Sequence, residues 1–442
     1  MSFKPYPKYK ESGVEWLGRV PEHWEVTRLG YLASRIGSGK TPSGGADNYC
    51  QQGVLFLRSQ NIYDEGLRLE DVVYITQATD EGMTTSRVLP GDILLNITGA
   101  SLGRTCVVPD DFEAANVNQH VCVIRLRDAS LRAFLSLLLK SAGVKSQLDY
   151  IQNGAAREGL NFSMVSSILC PLPSPEERDR IATFLDHETA KIDALIAEQQ
   201  RLIELLQEKR QAVISHAVTK GLNPDAPMKD SGIEWLGEVP EHWEIGRGRF
   251  LYSQLEIPPE PDDGVVTAFR DGQVTLRSNR RTEGFTFAVL EVGYQRVREG
   301  DLVIHGMDAF AGAIGVSEST GKCTPEYAVL EPFQQGICSA YFAKVLRLMA
   351  HRNFIYVICP SVRERAPRFR FESFKDVLLP VPPEAEQHAI IQYVASQEQA
   401  MNSLAVEADL ARALLKERRS ALISAAVTGQ IDVRSFAGTE AA

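Results

Sequence analysis

Two long stretches of this chain place apolar side chains three or four residues apart, a spacing that predicts amphipathic helices. The first stretch opens with helix-starting residues: Ser174 can act as the N-cap, Pro175 suits the first helical position, and Glu177 completes a capping box. No further Pro or Gly occurs before Gly221. Roughly 43 helical residues at a rise of about 1.5 Å each predict a rod of about 60 Å.

The second stretch repeats the first at an offset of 209 residues and in the same seven-residue register. A lone helix of this kind would expose its apolar stripe, so we expect the two helices to pair with each other in an antiparallel arrangement. Two separate dimerisation helices are the alternative. The predicted interface consists of Ile192, Leu195, Leu202, Leu206 and Val213 in the first helix and Met401, Leu404, Ala411, Leu415 and Leu422 in the second, with Gln199, Lys209, Ala408 and Arg418 at the remaining seam positions.

Short apolar runs bounded by turn residues lie outside the two helices and predict β-strands. They are VLFLR (54–58), DILLNI (92–97), VCVIRL (121–126), DLVIHG (301–306) and AIGVS (313–317). Helical stretches are expected near 130–142 and 337–350. The pattern therefore predicts an α+β fold, in which two globular mixed α/β domains are separated by two long antiparallel coiled-coil helices.

The chain also contains an internal repeat. KESGVEWLGRVPEHWEV (10–26) returns as KDSGIEWLGEVPEHWEI (229–245) with 13 of 17 positions identical, and these two copies contain all four tryptophans. We name each copy a strap and expect it to be structural, because large aromatic side chains contribute mainly through burial. The repeat predicts a pseudo-two-fold organisation: a first domain (1–173), a first spacer helix (174–219), a second domain (220–382), a second spacer helix (383–430) and a tail (431–442).

The overall charge alone argues against a nucleic-acid partner. The net charge is −10 and the sequence pI is about 5.5, whereas phosphate contacts need Lys and Arg. Two segments are nevertheless basic: 344–375 has eight Lys or Arg against two Glu, and 125–157 has six against two Asp. Since the distribution of charge matters more than its sum, DNA binding stays open.

Other features of the composition exclude several protein classes. No apolar run approaches the roughly 20 residues that span a bilayer, and MSFKPYPKYKESG at the N-terminus lacks a secretory signal, so we expect a cytoplasmic protein with no membrane partner. The seven cysteines are scattered without a CxxC pair. This spacing predicts buried thiols rather than a disulfide framework or a metal site.

The sequence lacks the motifs of a catalytic site. GSGKT (37–41) resembles a phosphate-binding loop, but Ser34 stands where that motif needs its first Gly, and Pro42 follows directly. HETAK (187–191) has Lys191 where a zinc protease needs its second His. There is no GxSxG elbow, no GxGxxG after a strand and no Asn-Pro-Pro-aromatic tetrapeptide, and the acid pairs at 110–111 and 262–263 lack the Glu-x-Lys of a nuclease. We therefore expect a non-catalytic chain without a cofactor of its own.

The duplicated straps and helices, together with several phrases between them, resemble the specificity subunit of Type I restriction–modification systems over nearly the full length. The phrases are GKTPSGG (39–45), LRSQNI (57–62), GDILLNITGASLG (91–103) and NGAAREGLNFSMVSSILCPLP (153–173). The second half matches one of them with GDLVIHGMDAFAGAIG (300–315), but PSVRERAPRFRFESF (360–374) replaces the Asn-rich and Gly-Leu-Asn phrases. This departure indicates a different DNA sequence for the second domain.

The resemblance implies two target-recognition domains that each read one half of a split site in double-stranded DNA. It also implies that the helices act as a spacer and dock two modification subunits, which would bring S-adenosylmethionine and methylate adenine. Restriction subunits, which are translocase–nucleases, would join them. A coiled-coil scaffold without DNA readout and an enzyme with unrecognised motifs are the alternatives.

Direct readout of bases needs hydrogen-bonding side chains on exposed loops. For each such residue, a solvated surface position is the alternative. The candidates in the first domain are Lys40, Thr41, Ser43, Arg58, Ser59, Gln60, Asn61, Asn96, Thr98, Arg104, Asn118, Gln119 and Arg157. Those in the second domain are Arg277, Asn279, Arg280, Arg281, His305, Lys322, Arg363, Arg365, Arg368 and Arg370.

Overall fold

The computed structural model describes residues 4–14, 16–42, 45, 49–153, 159–280, 291–359 and 368–436. Its contacts divide the chain into two compact units, of which the first comprises Met1–Gln200 with Asp409–Ala442 and the second comprises Arg201–Ala408. Each long helix therefore contributes one part to each unit. Among the described residues, no helix has the length and apolar character needed to cross a membrane.

The first unit combines short strands with helices. Its strands are β1 (Tyr9–Glu11), β2 (Arg19–Pro21), β3 (Glu25–Arg28), β4 (Ala33–Ser38), β5 (Val54–Leu57), β6 (Ile62–Tyr63), β7 (Gly66–Leu67), β8 (Val73–Ile75), β9 (Arg87–Val88), β10 (Ile93–Asn96), β11 (Thr105–Val107), β12 (Ala115–Val117), β13 (Val121–Leu126) and β14 (Leu169–Leu172). Its helices are α1 (Leu29–Leu32), α2 (Gln77–Glu81), α3 (Arg132–Lys140), α4 (Ala142–Asn153) and α5 (Phe162–Ser166), followed by the long helix α6 (Pro175–Lys220). One antiparallel sheet has the order β11-β10-β13-β4, and a mixed sheet, in which β5 and β12 are parallel, has the order β8-β5-β12-β9.

The second unit repeats the antiparallel sheet with other sequences. Its strands are β15 (Met228–Asp230), β16 (Glu238–Pro240), β17 (Glu244–Arg247), β18 (Tyr252–Gln254), β19 (Val266–Ala268), β20 (Val274–Leu276), β21 (Gln295–Val297), β22 (Leu302–His305), β23 (Ile314–Val316), β24 (Gly321–Cys323), β25 (Tyr327–Pro332) and β26 (Leu378–Val381). Its helices are α7 (Gly248–Leu251), α8 (Ser339–His351), α9 (Phe354–Ile358), α10 (Phe371–Phe374) and the long α11 (Glu384–Val427). The order β23-β22-β25-β18 matches β11-β10-β13-β4, so the expected α+β fold with an internal repeat is confirmed.

In each unit a strand that begins in the strap pairs with the strand that precedes the long helix. Strand β3 pairs with β14 in the first unit, and β17 pairs with β26 in the second. Trp24 and Trp243 are fully buried and meet Phe134 and Tyr341 edge-to-face, each at 6.4 Å between ring centroids. The straps therefore belong to the two main hydrophobic cores.

In the first unit the two long helices run antiparallel. Arg419 in α11 donates to Asp193 in α6 at 2.8 Å, and Arg412 donates to Gln200. Residue numbers thus rise along α6 while they fall along α11, which is the direction expected from the sequence.

The parts of the long helices in the second unit have the same antiparallel direction. Arg210 of α6 donates to Asn402 of α11. Further along, a Cβ placed on Gly221 would lie 2.7 Å from Glu386 Oε1. The later part of α6 therefore approaches the beginning of α11.

The buried face of these helices departs from the expected seam at several positions. Leu195, Leu202 and Leu404 are 45%, 40% and 48% exposed, so they lie outside it. The apolar residues that the structure buries or half-buries along this face include Ile192, Ile196, Ile203, Leu206 and Val213 in α6 and Met401, Ala405, Ala408, Ala411, Leu415 and Leu422 in α11. Because apolar residues adjoin each other, the stripe that starts at Ile192 can continue three residues later at Leu195 or four residues later at Ile196. The structure buries the residues of the second alternative.

Candidate DNA interface

Loops at one end of the first antiparallel sheet bring several predicted residues together. Thr98 follows β10, Gln119 and His120 precede β13, and Thr41 follows β4. Thr98 Oγ1 lies 2.5 Å from His120 Nδ1, His120 Nε2 lies 3.0 Å from Gln119 Nε2, and Thr41 donates to Gln119. Lys40, Thr41 and Gln119 are exposed. The sheet end therefore carries a connected row of polar side chains beside a lysine.

Gly39 sets the path of the loop that carries Lys40 and Thr41. A Cβ at this position would lie 1.5 Å from Val117 O, and the Gly39 N–H donates to Asn118 O at 3.2 Å. Only glycine permits so close a backbone approach. No helix follows over residues 39–42, so the loop lacks the strand-to-helix geometry of a nucleotide-binding loop.

A second group of cationic side chains surrounds Tyr63 in the first unit. The guanidinium groups of Arg68 and Arg104 lie 3.6 and 4.7 Å from the centroid of its ring. Arg104 was predicted, and its cation–π contact with Tyr63 orients the side chain. The predicted Arg58 and Ser59 are half-buried, and Gln60 is exposed and hydrogen-bonded to Asp71; these three begin the turn that leads to Tyr63.

Three predicted asparagines are buried instead of facing solvent. Asn61 is 1% exposed, Asn96 is fully buried and Asn118 is 8% exposed. Asn61 Oδ1 accepts from the Arg58 N–H at 2.9 Å, and Asn96 Nδ2 donates to Ser59 O at 2.8 Å. The amides of Asn61 and Asn96 thus hold the loop that begins at Arg58, and we leave all three asparagines out of the interface.

The corresponding end of the second sheet carries His305. Its ring stacks on Tyr327 with centroids 4.4 Å apart and an interplanar angle of 29°. Nδ1 lies 3.1 Å from Asp308 Oδ2. Burial lowers the pKa of His305, although Asp308 opposes this shift, so the ring is neutral at neutral pH.

A cavity of about 510 Å³ opens beside this stack. The predicted Arg280 lines it, with its guanidinium 4.2 Å from the Phe269 ring and 2.7 Å from Asp271. Arg270 lies opposite and donates to Asp308 at 3.0 Å. The cavity thus combines aromatic faces with paired charges of both signs.

Arg368 and Arg370 lie at the same end of the sheet and share one carboxylate. Each guanidinium is 3.5 Å from an oxygen of Glu326, and the two side chains are 50% and 54% exposed. Between them Phe369 is fully buried. The buried ring therefore anchors a short segment whose two arginines reach the surface.

The other predicted residues of the second domain are held by local contacts. Lys322 Nζ lies 2.6 Å from Glu291, and its side chain is only 13% exposed, which makes a phosphate contact from this position unfavourable. Asn279 donates to Thr275 at 2.8 Å while its residue stays exposed. Arg277 Nε donates to Thr267 Oγ1 at 3.3 Å.

Five further predicted residues lie outside the described residues. They are Ser43 and Arg157 of the first domain and Arg281, Arg363 and Arg365 of the second.

Equivalent backbone hydrogen bonds frame the two sites. The Ile97 N–H donates to His120 O at 3.0 Å, as Gly306 N–H does to Glu326 O at 2.8 Å. The Leu160 N–H donates to Ile97 O at 2.8 Å, as Phe369 N–H does to Gly306 O at 2.9 Å. His120 and Glu326 therefore occupy matching positions, as do Leu160 and Phe369, although the side chains differ.

Sequence reasoning missed His120, Glu326, Tyr327, Arg270 and Asp308. Each lies within a few residues of a candidate or of a strand end, so aligning the two halves through strands β10 and β22 would have pointed to them. In the described part of the chain, no three His, Cys, Asp or Glu side chains are placed to hold a metal ion.

The sequence is similar to a known protein family. Residues 21–206 match the family model described as Type I restriction modification DNA specificity domain. The putative type I restriction enzyme MjaX specificity subunit of Methanocaldococcus jannaschii is 26% identical over 243 residues, 54% of this chain and 55% of that protein, so the match spans about half of that relative. The type I restriction enzyme EcoBI specificity subunit of Escherichia coli is 23% identical over 453 residues, 95% of this chain and 89% of that one.

The fold is similar to that of solved structures. The HsdS subunit from Thermoanaerobacter tengcongensis superposes with a TM-score of 0.52 at 16% identity, covering 95% of this chain and 100% of that one. A chain of a type I R-M system superposes with a TM-score of 0.58 at 17% identity, covering 93% and 99%. These likenesses concern the fold, and the sequence match with the family model concerns residues 21–206. In sequence over residues 21–206, and in fold over most of its length, the chain is therefore similar to the specificity subunits of Type I restriction–modification systems.

Proposed function

We propose that this chain reads DNA sequence for a Type I restriction–modification complex. In this proposal each unit reads one half of a bipartite, asymmetric site in double-stranded DNA, through the loops at the end of its antiparallel sheet. The chain itself performs no chemistry and holds no cofactor. Modification subunits would dock on it, bring S-adenosylmethionine and methylate adenine, and restriction subunits would join them.

The observation that carries this proposal is the matching backbone frame with different side chains. His120 is linked to Thr98 and Gln119 in the first unit, whereas Glu326 is paired with Arg368 and Arg370 in the second. Amide and hydroxyl groups form hydrogen bonds with other base edges than guanidinium groups do. Two copies of one scaffold with different surface chemistry are what an asymmetric bipartite site requires.

The experiment is to express this chain with a modification subunit in cells and to map methylated adenines. The proposal predicts one split motif, which disappears when this chain is omitted. Exchanging Gln119 for Ala should relax one half of the motif, and exchanging His305 for Ala should relax the other half. Methylation that ignores both substitutions, or a stable complex that methylates nothing, would favour the scaffold alternative.

The spacer role of the long helices has its own test. Removing residues 203–209 together with 403–409 deletes one heptad from each helix at positions that the Arg210–Asn402 contact places opposite each other. Seven residues at about 1.5 Å each shorten each helix by about 10 Å, or about three base pairs of 3.4 Å. We expect the non-specific gap of the motif to shorten by about that amount, and an unchanged gap would refute the spacer role.

A further inference from the structure

Arg370 occupies a position where the first unit has a helix-capping residue. In the first unit Asn161 precedes α5, and its Oδ1 accepts from the Met164 N–H at 2.9 Å. In the second unit Arg370 precedes α10, and its side chain makes no capping hydrogen bond. Asparagine is among the favoured N-cap residues, and arginine is not. The second unit therefore lacks the stabilising N-cap hydrogen bond that the first unit has at this position.

The local fold fixes the backbone of Arg370 firmly. Phe369 is fully buried, and its N–H donates to Gly306 O at 2.9 Å. A Cβ placed on Gly306 would lie 2.8 Å from Glu326 O and 3.8 Å from Arg370 Cγ. Gly306 thus lets the Arg370 side chain and the Glu326 backbone approach each other on one patch of surface.

The contact between Arg370 and Glu326 does little for stability. The nitrogen and oxygen are 3.5 Å apart, which is longer than a charge-assisted hydrogen bond, and the arginine side chain is 54% exposed. Because the guanidinium end of the pair is exposed, solvent screens its attraction to the carboxylate. Glu326 Oε2 is buried and has no hydrogen-bond partner within the described residues. The pair holds the guanidinium in a limited region while leaving most of its donors unused.

On this basis, and resting on the proposed function, we propose that Arg370 reads a guanine in the half-site of the second unit and that Glu326 is the residue that positions it. A guanidinium can donate two parallel hydrogen bonds to guanine O6 and N7 in the major groove. The carboxylate limits the directions in which that planar group can point. The first unit has no counterpart, because Asn161 is engaged in capping α5.

The test uses the complex of the full chain with its modification subunits. The motif of the unaltered complex is mapped first, and duplexes with each base pair of the second half-site replaced are then titrated. The variants are Arg370→Lys, Arg370→Asn and Glu326→Gln. The matched controls are Arg298→Lys and Glu331→Gln, because Arg298 pairs with Glu331 at 2.9 Å, has a similar exposure of 43%, and lies at the opposite end of β22.

We expect the unaltered complex to prefer guanine at one position by roughly 5- to 150-fold, the range of one bidentate contact. Arg370→Lys keeps the charge but lacks the planar fork, so the preference should fall to a few-fold with the salt dependence of binding retained. Arg370→Asn should lose the preference while raising the melting temperature, because it restores the capping residue. Glu326→Gln should weaken the preference, and both controls should leave it intact.

Three results would overturn the inference. Full guanine preference in Arg370→Lys would show a phosphate contact instead of base readout. A uniform affinity gain at all sequences in Glu326→Gln would show that the carboxylate only opposes DNA binding. Loss of preference accompanied by a lower melting temperature in Arg370→Asn would show a structural role. A failure of the proposed function looks different, because the unaltered complex would then bind all duplexes equally.

Discussion

His23 Nε2 lies 2.9 Å from Glu177 Oε2, and the same contact recurs at 2.8 Å between His242 and Glu386 in the other unit. In both copies a strap residue meets a carboxylate in the first turn of a long helix. The copies differ in burial, because Glu177 also accepts from Tyr6 Oη at 2.6 Å and is only 4% exposed. The duplicated contact joins each strap to a long helix, and the first copy is the more enclosed.

This difference predicts unequal costs for the same substitution. Glu177→Ala leaves the hydroxyl of Tyr6 buried without its acceptor, so we expect a loss of about 1–3 kcal/mol in the free energy of unfolding. Glu386→Ala removes a contact to a half-exposed histidine and should cost at most about 1 kcal/mol. Urea titrations of the two variants measure both values. Equal losses would show that the burial of Glu177 has no energetic consequence.

The buried seam of the long helices gives a second prediction, with neighbouring leucines as a matched pair. Leu206 is 7% exposed and Leu205 is 44% exposed. Leu206→Ala should lower the free energy of unfolding by about 2–3 kcal/mol through lost burial and the cavity it leaves. Leu205→Ala should change it by less than about 0.5 kcal/mol. If Leu205→Ala were the more costly substitution in denaturant titrations, the burial of Leu206 in the helix seam would be contradicted.

For the long helices, the sequence predicted where the first helix begins but not which apolar residues face the other helix. Capping residues and the absence of Pro and Gly predicted α6 from 174, and the structure begins it at Pro175. The apolar positions were less decisive, since Leu195 adjoins Ile196 and Leu202 adjoins Ile203. Either member of each pair could face the partner helix. Only the packing of side chains in three dimensions separates the two phases.

The interface residues were harder to predict, because residue type does not reveal where a side chain's hydrogen bonds go. Asn96 and Gln119 both have amide groups suited to adenine, yet Asn96 is fully buried and Gln119 is exposed. Residue type does not point to Glu326, because an acidic side chain does not attract phosphate. Its relevance appears only when the fold brings it within 3.5 Å of Arg370.

The close approach at Gly39 leads to a prediction about the loop beside it. Gly39→Ala places a methyl group against the Val117 carbonyl and should displace Lys40 and Thr41, with a loss of about 1–3 kcal/mol in the free energy of unfolding and weaker DNA binding. Gly37→Ala is the control, since the nearest atom to its Cβ is 3.7 Å away in a side chain of Arg35. DNA titrations and melts of both variants are required. Unchanged DNA affinity in a displaced Gly39→Ala loop would remove this loop from the interface.

The cysteines provide a chemical measure of burial in each unit. Burial raises the pKa of Cys106, Cys122, Cys170 and Cys323 to about 12. Compared with a free thiol of pKa about 8.5, their thiolate fraction at pH 7 is smaller by a factor on the order of 10³. Mass spectrometry after brief alkylation should therefore show modification first at the half-buried Cys50 and Cys338. Equal rates at all seven thiols in the folded protein would contradict this burial pattern.

His305 makes the stability of the second unit depend on pH in a definite direction. Because its pKa is lowered below 6.5 in the folded chain, the unfolded chain binds a proton first as the pH falls. The free energy of unfolding should thus be highest above about pH 6.5 and decline below it, by at most about 1.4 kcal/mol per pH unit from this group. His351, whose pKa burial and Arg347 also lower, adds a term of the same sign. His305→Asn should reduce the slope between pH 6.5 and 5.5 without removing it, since His351 remains, and His351→Asn should do the same. An identical slope in His305→Asn and the unaltered chain would mean that the pKa of His305 is the same in the folded and the unfolded chain. The folded ring would then take up its proton near pH 6.5, and below that pH the cavity beside Tyr327 would present a positive charge to DNA.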